Sequence, residues 1–442
     1  MSVSTFKQGI HLEYNKELSR DNPFRKAKRP SVVTIPLQHH IGAPCKPLVK
    51  KGEHVDLGQK IADADSFVSA PIHASVSGVV KEIKEIASPP VGKRAQAIII
   101  EADDEDKLSE EIKPKGDIKD LSPADIKQIV RDAGIVGLGG AMFPTHVKLA
   151  VPEEKNVEYF ILNGAECEPY LTVDFRMMIE RPGDIVYGMK ALMKATEAKK
   201  GFIGIEENKP EAVESMKKEL KNEENIEVKV LETKYPQGGE KMLIKAILDR
   251  EVPAGGLPLD VGVVVNNITT AVSVADAIQK GLPLFESGMT VTGKGVNEPS
   301  NLIYRIGTSM KELIEEAGGY QGKPGKTIMG GPMTGFAQPT TDVPVVKGTS
   351  GIVVFQDSEV ENIEPQPCIK CARCIDVCPQ FLMPVTLANY SKHEMYEDLD
   401  KLPVLNCIEC GSCSYICPSN RPLMQYIKLG KAEVTANKRK KD

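Results

Sequence analysis

The sequence predicts a multidomain α/β chain with a helical, cysteine-rich end, and three observations predict it. Apolar β-type runs at 159–162, 202–205, 226–231 and 261–265 alternate with helical stretches near 184–199, 210–222, 240–250 and 270–280. That alternation argues a largely parallel sheet with helices on both faces. Before it, residues 31–102 are short β-type runs separated by turn residues, and after it two cysteine blocks flank a helical stretch. At 442 residues the chain is too long for one core, and about three domains is the length prior. A hydrophobic content of 41% and a charged content of 26% are those of a soluble globular protein. The net charge of −5 argues against a nucleic-acid partner. No apolar run approaches the length of a bilayer span, and the polar first 30 residues are unlike a signal peptide.

Residues 1–30 carry Lys7, Lys16, Arg20, Arg25, Lys26, Lys28 and Arg29 without apolar periodicity. They read as an arm draped on a neighbouring domain or subunit, with no catalytic role. From 31 to 102, Val49–Ala62 and Ala70–Ile83 are two related hairpins with Gly52, Gly58 and Gly78 at turns, a flattened barrel. The segment resembles the biotinyl/lipoyl carrier fold, a barrel-sandwich. A working carrier needs a lysine at the hairpin tip, and none lies between Lys60 and Lys81; Phe67 falls near that place. The fold is expected without the swinging arm. His39–His40 is read as a surface pair, because adjacent strand residues point to opposite faces.

Residues 103–120 form a charged linker, and 120–282 the central domain. Ser122, Pro123 and Asp125 supply an N-cap, a first-turn proline and an acid three residues on, the signature of a helix start. The stretch Gly134–Leu149, G-I-V-G-L-G-G-A-M-F-P-T-H-V-K-L, follows. Its glycines let backbone N–H groups approach a phosphate, and Lys148 can meet the charge. Polar, glycine-marked segments follow three strand ends: Asn163–Tyr170, Tyr235–Lys241 and Asn266–Thr270. In parallel sheets ligands sit at those ends, so the loops predict one crevice for a large polar cofactor. The G-K-P-G-K-T stretch at 322–327 lacks the glycine spacing of a P-loop, since Tyr320 stands at the required place. Residues 285–356 return to β-type text around a helix near 309–317, a small strand–helix–strand module, and Pro365 and Pro367 mark the hinge into 362–428.

That last segment carries the most specific signal. It reads C-I-K-C-A-R-C-I-D-V-C-P and later C-I-E-C-G-S-C-S-Y-I-C-P, and of ten cysteines only Cys45 and Cys167 lie elsewhere. Both blocks fit the run that holds cubane clusters in bacterial ferredoxins, in which the fourth cysteine reaches the neighbouring cluster. The predicted ligand sets are Cys368, Cys371, Cys374 with Cys417, and Cys407, Cys410, Cys413 with Cys378. Zinc also takes paired C-x2-C motifs, but it has no use for a repeated third cysteine and a C-P exit. Thiols crowded this way belong in a reducing compartment. The helical text between the blocks favours a helical two-cluster domain, and residues 429–442 read as a basic, frayed tail.

The set G-L-G-G-A-M-F-P-T-x-x-K, N-x-x-E-x-E-P, G-G-E and N-N resembles the FMN- and NADH-binding subunit of respiratory complex I. With the barrel before it and the double ferredoxin segment behind, the chain from about 5 to 425 resembles the RnfC family, the C subunits of the Rnf ion-translocating ferredoxin:NAD oxidoreductase complexes. The resemblance implies a flavin-binding Rossmann-like domain, a β-grasp (SLBB-like) module at 285–356, non-covalent FMN, NAD(H) and two [4Fe–4S] clusters. It implies that Gly137, Gly139, Gly140 and Lys148 hold the FMN phosphate. Asn163 and Glu166 would lie by the ribityl chain and ring, Gly238, Asn266 and Asn267 would close the site, and Phe143, Glu168 and Glu240 would face NADH. Leu138, Met142, Ala165 and Gly239 depart from the complex I pattern, where arginine, glycine, aspartate and glutamate stand.

Hydride arrives as an electron pair and a cubane accepts one electron, so a flavin must stand between them. The implied function is hydride exchange between NAD(H) and FMN and passage of single electrons through the clusters. No acid–base residue is required. The implied partners are the other subunits of a membrane redox complex and, through them, ferredoxin, with the chain peripheral on the cytoplasmic side of the membrane. Two rival readings are a soluble NADH dehydrogenase or diaphorase module, and a cluster-bearing scaffold without flavin activity.

Overall fold

The computed structural model describes residues 3–90, 92–361 and 363–440. Lys441 and Asp442, the last residues of the expected tail, lie outside the described residues.

The strands of the first domain form two antiparallel sheets. One runs Val32–Pro36, Lys93–Ala102, Gly78–Ser88, His54–Val55; the other runs Lys46–Pro47, Lys60–Asp63, Ile72–His73. Val33, Ile35, Val55, Ile61, Ile72, Val80, Ile98 and Ile100 fill the space between them. Phe67 is exposed in the turn between Asp63 and Ile72. The expected surface role of His39 and His40 is overturned. The strand ends at Pro36, and both rings are buried, 1% and 5% exposed. His40 Nε2 bonds the Ser69 hydroxyl at 2.9 Å, and His39 Nδ1 accepts from the Lys347 backbone N–H.

The central domain is a four-stranded parallel sheet in the order Ile226–Leu231, Lys200–Glu206, Tyr159–Gly164, Val263–Asn267. Period-two alternation sends Phe160 and Leu162 to one face and Ile161 to the other. The first face packs on helices Pro123–Asp132, Pro182–Thr196 and Ile268–Gln279, the second on Glu240–Leu248. Two of those helices touch backbone to backbone: a Cβ at Gly188 would lie 1.9 Å from the Ala271 carbonyl oxygen. The chain starts the sheet in its interior, adds two strands on one side and returns to the other. Strands Tyr159–Gly164 and Val263–Asn267 therefore meet at the point where strand order reverses, where such sheets bind ligands. A helix that the sequence pattern does not announce, Val173–Glu180, packs next to this point.

The third domain is a mixed six-stranded sheet, Phe24–Lys26, Ser300–Arg305, Glu286–Thr292, Gly351–Gln356, Pro324–Met329, Phe336–Ala337, with helix Met310–Glu316. The P-loop lookalike at 322–327 enters one of its strands and no helix follows. Its edge strand, Phe24–Lys26, comes from the N-terminal arm. Earlier parts of the arm bridge Ser4 to Leu231 and Ile10 to Tyr235, and the Gly9 N–H donates to the Val377 carbonyl at 3.2 Å. The arm thus ties the central, third and cysteine-rich domains together.

The cysteine-rich domain repeats one backbone twice. Lys370, Ala372 and Phe381 have φ of 58°, 61° and 53°; Glu409, Gly411 and Asn420, at the same motif positions, have 58°, 80° and 49°. Short helices Arg373–Asp376 and Ser412–Tyr415 follow, then the packed helices Pro384–Lys392 and Leu423–Arg439. The expected frayed tail is overturned as far as Arg439. Leu423, Met424, Ile427, Gly430 and Val434 form a buried stripe at helical spacing.

Candidate nucleotide crevice and cluster sites

The glycine loop is built on its own backbone. The Gly137 N–H donates to the Phe143 carbonyl at 2.9 Å and the Met142 N–H to the Gly137 carbonyl at 3.0 Å. The Leu138 N–H donates to Thr270 Oγ1 at 3.0 Å, which pins the loop to the start of helix Ile268–Gln279. Gly139 and Gly140 are exposed at the tip. A Cβ at Gly140 would meet nothing within 4 Å, and one at Gly139 would lie 3.5 Å from the Asn267 amide. Asn267 caps that helix, accepting from the Thr269 and Thr270 N–H groups.

Asn267 and Asn163 are register partners at the ends of adjacent strands. Asn163 Nδ2 donates to the Gly238 carbonyl at 2.8 Å, bringing the third loop in. Lys148 Nζ donates to Glu240 Oε1 at 2.7 Å and to the Val265 carbonyl at 3.0 Å, so it joins the phosphate loop's helix to the opposite wall. Asn163, Gly238, Asn267 and Gly139 are thereby linked at the strand ends where the crevice is expected, with the Lys148–Glu240 pair held to Val265 of the same strand as Asn267. Phe143 lies half-buried at the base of the loop. Glu168 is set apart. Its carboxylate accepts from the Met333 and Thr334 N–H groups, at 3.0 and 2.8 Å, and from the Thr334 hydroxyl, so it is turned to the third domain.

Beneath the loop after Asn163 lies a buried charged cluster. Glu166, in the left-handed region at φ 46°, accepts from the Asp174 N–H through Oε1 at 2.7 Å. Asp174 accepts from Asn267 Nδ2 and Thr269 Oγ1, each at 2.8 Å. Lys209 Nζ donates to the Ala165 carbonyl at 2.6 Å and to Glu206 Oε2 at 2.9 Å. Lys16 arrives from the arm, with Nζ 3.7 Å from Glu166 Oε2. Burial pushes the Glu166 carboxyl up to about 7, against the pull of Lys16. No motif in the sequence singles out Lys16, Asp174 or Lys209 for this site.

The four departures from the complex I pattern have local causes. Leu138 is buried, 4% exposed, under the loop. Met142 holds φ 51°, and its side chain fills the space over Gly348, where a Cβ would come within 2.3 Å of it. Ala165 offers its carbonyl to Lys209. At Gly239 a Cβ would lie 3.1 Å from the Pro236 carbonyl oxygen, so its own turn leaves little room for a side chain, and Ile408 of the cysteine-rich domain lies at ordinary contact distance, 3.7 Å.

FMN fits the crevice. The exposed glycines at the loop tip offer room and backbone N–H groups to a phosphate. Asn266 Nδ2, Glu166 Oε2 and both amide atoms of Gln237 are buried without a partner, and buried polar atoms need one.

Two further cavities are lined by cysteines. One is bordered by Cys378, Cys407, Cys410 and Cys413, the other by Cys368, Cys371, Cys374 and Cys417. Each cavity takes three cysteines from one block and the fourth from the other. No group of three Cys, His, Asp or Glu among the described residues is drawn together tightly enough for a single ion. Four thiols spread around a void suit a cube, which is larger. Burial pushes the Cys407 thiol up to about 11 and Cys413 higher. Cluster assembly must therefore displace protons. The first cavity adjoins the crevice: Tyr235 Oη donates to the Cys410 carbonyl at 2.7 Å. Cys368 and Cys371, on the second, are exposed.

Comparison with known proteins matches this division. Family models match at residues 4–105 (RnfC barrel sandwich hybrid domain), 130–276 (Nuo51 FMN-binding domain), 289–337 (SLBB domain) and 361–418 (4Fe-4S dicluster domain). A NAD+-reducing [NiFe]-hydrogenase structure aligns with 74% of this chain and 64% of its own at 18% identity and a TM-score of 0.49. The C subunit of the Na(+)-translocating ferredoxin:NAD(+) oxidoreductase complex of Acetobacterium woodii is 47% identical over 436 residues, 99% of this chain and 98% of the relative. Its proton-translocating counterpart in Clostridium ljungdahlii is 45% identical over 98% of this chain and 94% of its own. The C subunit of the ion-translocating oxidoreductase complex of Rhodobacter capsulatus is 39% identical, with 99% and 84% covered. With likeness of this degree running from the barrel to the second cysteine block, the chain belongs to the RnfC family, the C subunits of ion-translocating ferredoxin:NAD oxidoreductase complexes.

Proposed function

We propose that this chain is the NAD(H)-handling subunit of a membrane-bound ferredoxin:NAD oxidoreductase and carries electrons between NAD(H) and its partner subunits. When bound, FMN supplies the conversion between the hydride of NADH and single electrons, which the [4Fe–4S] clusters carry one at a time. Gly137, Gly139 and Gly140 hold the FMN phosphate, with Lys148 supplying positive charge. Asn163, Glu166, Gly238, Asn266 and Asn267 orient the rest of the flavin. Phe143 and Glu240 border the approach of NADH. Glu168 shapes that approach indirectly, by holding the Met333–Thr334 loop.

Cys407, Cys410, Cys413 and Cys378 hold the cluster nearer the flavin; Cys368, Cys371, Cys374 and Cys417 hold the outer one. The observation that carries this reading is the contact of Tyr235 with Cys410. It sets the inner cluster against the flavin loop and leaves exposed cysteines at the far end for a partner. Electrons would enter or leave through that end. No helix of the described residues is long and apolar enough to cross a membrane. From its likeness to C subunits of ion-translocating complexes we assign the chain to the cytoplasmic face of the membrane as a peripheral subunit, and the ion path to its partners.

Anaerobic titration of the cluster-reconstituted chain with FMN and then NADH tests the assignment. About eight irons per chain, one FMN bound and its absorbance bleached by NADH are expected. Iron without FMN or NADH binding would leave an electron-carrying scaffold. Release from membranes by salt or chaotrope separates a member of a membrane complex from a free diaphorase.

A further inference from the structure

We propose that Lys16, carried into the crevice by the N-terminal arm, is a positioning residue that keeps Glu166 an ionised acceptor for a hydroxyl of bound FMN. The proposal rests on the flavin reading above and adds the arm to the site.

Lys16 is a surface-type residue in an unusual place. Its side chain is 9% exposed, and Nζ donates to the Glu168 and Leu171 carbonyls on the loop that follows Asn163. Its remaining donor direction faces Glu166, whose side chain is 3% exposed. The arm is fixed on both sides of it. The Tyr170 N–H donates to the Tyr14 carbonyl at 2.7 Å, Ser19 Oγ meets Thr172 Oγ1 at 2.9 Å, and Asn301 Nδ2 donates to the Ser19 carbonyl at 2.8 Å. Asn15, at φ 48°, makes the turn that sends Lys16 inward.

Glu166 needs such a partner. One oxygen is taken by the Asp174 N–H, and the other is buried with no hydrogen-bond partner. A buried carboxyl beside another carboxylate tends to keep its proton. The charged groups acting on Glu166 come from three elements. Lys16 on the arm favours the charged form, Asp174 on helix Val173–Glu180 opposes it, and Lys209 before helix Pro210–Glu219 favours it. Lys209 is committed to Glu206 and the Ala165 carbonyl, and Asp174 to Asn267 and Thr269. Lys16 is the cation within ion-pair distance. An ionised Glu166 accepts a hydroxyl hydrogen at its free oxygen, whereas a protonated one presents a competing donor.

The test is the dissociation constant of FMN, from quenching of its fluorescence, between pH 6 and 9 on the full cluster-loaded chain. Wild type, K16M, K16R and E166Q are compared, and riboflavin separates the titration of the FMN phosphate from that of the protein. Wild-type affinity should fall as pH drops through the region of 7. In K16M the fall should move to higher pH by about one unit or more, giving binding at pH 7 that is weaker by about fivefold or more. K16R should keep the wild-type midpoint, and E166Q should flatten the profile for riboflavin and leave with FMN only the titration of its phosphate. A K16M midpoint equal to wild type, or an E166Q profile that keeps its slope with riboflavin, overturns the proposal. If K16M fails to assemble its clusters, the E166Q and K16R profiles decide alone. A wild-type chain that binds neither flavin at any pH overturns the flavin reading itself, and this inference with it.

Discussion

Replacing Lys209 with methionine tests whether the buried charges under the flavin loop act as one unit. Lys209 and Glu206 are 2% and 0% exposed, with Nζ and Oε2 at 2.9 Å, and Nζ also holds the Ala165 carbonyl and Asn208 Oδ1. Methionine matches the length of the lysine stem but strands Glu206 in the core. Removing one partner of a buried pair typically costs about 3–5 kcal/mol, because the remaining charge is uncompensated. For a domain of this size each kcal/mol lowers the melting temperature by roughly 2–4 °C, so K209M should melt roughly 6–20 °C lower. The transition to follow is the one that added FMN raises, since a ligand stabilises the domain that binds it. In the double variant E206Q/K209M the stranded group is a neutral amide, and at least half of the loss should return. FMN affinity should fall in K209M as well, because the Ala165 carbonyl loses its anchor beside Glu166. A K209M transition within about 2 °C of wild type, or a double variant no better than the single, would refute the argument that this pair supports the flavin loop.

Four other substitutions probe the site and the route. C378S should remove the cluster beside Tyr235, and C417S the outer one. Iron would fall to roughly half in each, but NADH-driven reduction of the remaining cluster should survive in C417S and fail in C378S. The reverse pattern would contradict the crossed ligand sets, and equal behaviour of the two would contradict the order of the clusters along the route. Y235F deletes the bond to the Cys410 carbonyl while keeping the ring, so a stability loss of about 1 kcal/mol and slower cluster reduction in stopped flow are expected. G139D places a carboxylate where the phosphate is expected, and equilibrium dialysis should show loss of FMN binding with iron content unchanged.

The features legible in the sequence were those set by local spacing. Cysteine intervals lie within a few residues of one another, and the two cavities are lined by the same two sets of four that the spacing predicts. The alternation of strand and helix text placed the parallel sheet, because burial on both faces makes each strand a short apolar run. The tail was misread, because the run of basic residues masked its helical face. Ile427, Gly430 and Val434 mark a helical face that lies under the charges. The buried histidines mislead for another reason. Their strand stops at Pro36, so a strand rule no longer applies at His39 and His40, and their partner Lys347 is far away in sequence.

What the sequence could not show is the use made of the arm. Lys16 reaches the carbonyl of Leu171 across 155 residues, and the Asn301 side chain bonds Ser19 across 282. No local pattern encodes contacts of that separation. By composition the arm is a solvated, basic segment, and seven cations without periodicity gave no reason to bury one. The burial becomes intelligible only from the other side, where Glu166 has an oxygen with no partner and Asp174 adds a like charge. In this family the flavin domain is joined to a cluster domain, and here Ile408 of the cluster domain comes within contact distance, 3.7 Å, of a Cβ placed at Gly239. The same arm that brings Lys16 to the crevice also bonds Val377, next to Cys378, and pairs Ile10 with Tyr235. One strap therefore sets charge at the flavin and distance to the inner cluster together. A variant that loosens it should change flavin binding and cluster reduction in step, whereas independent domains would let the two vary separately.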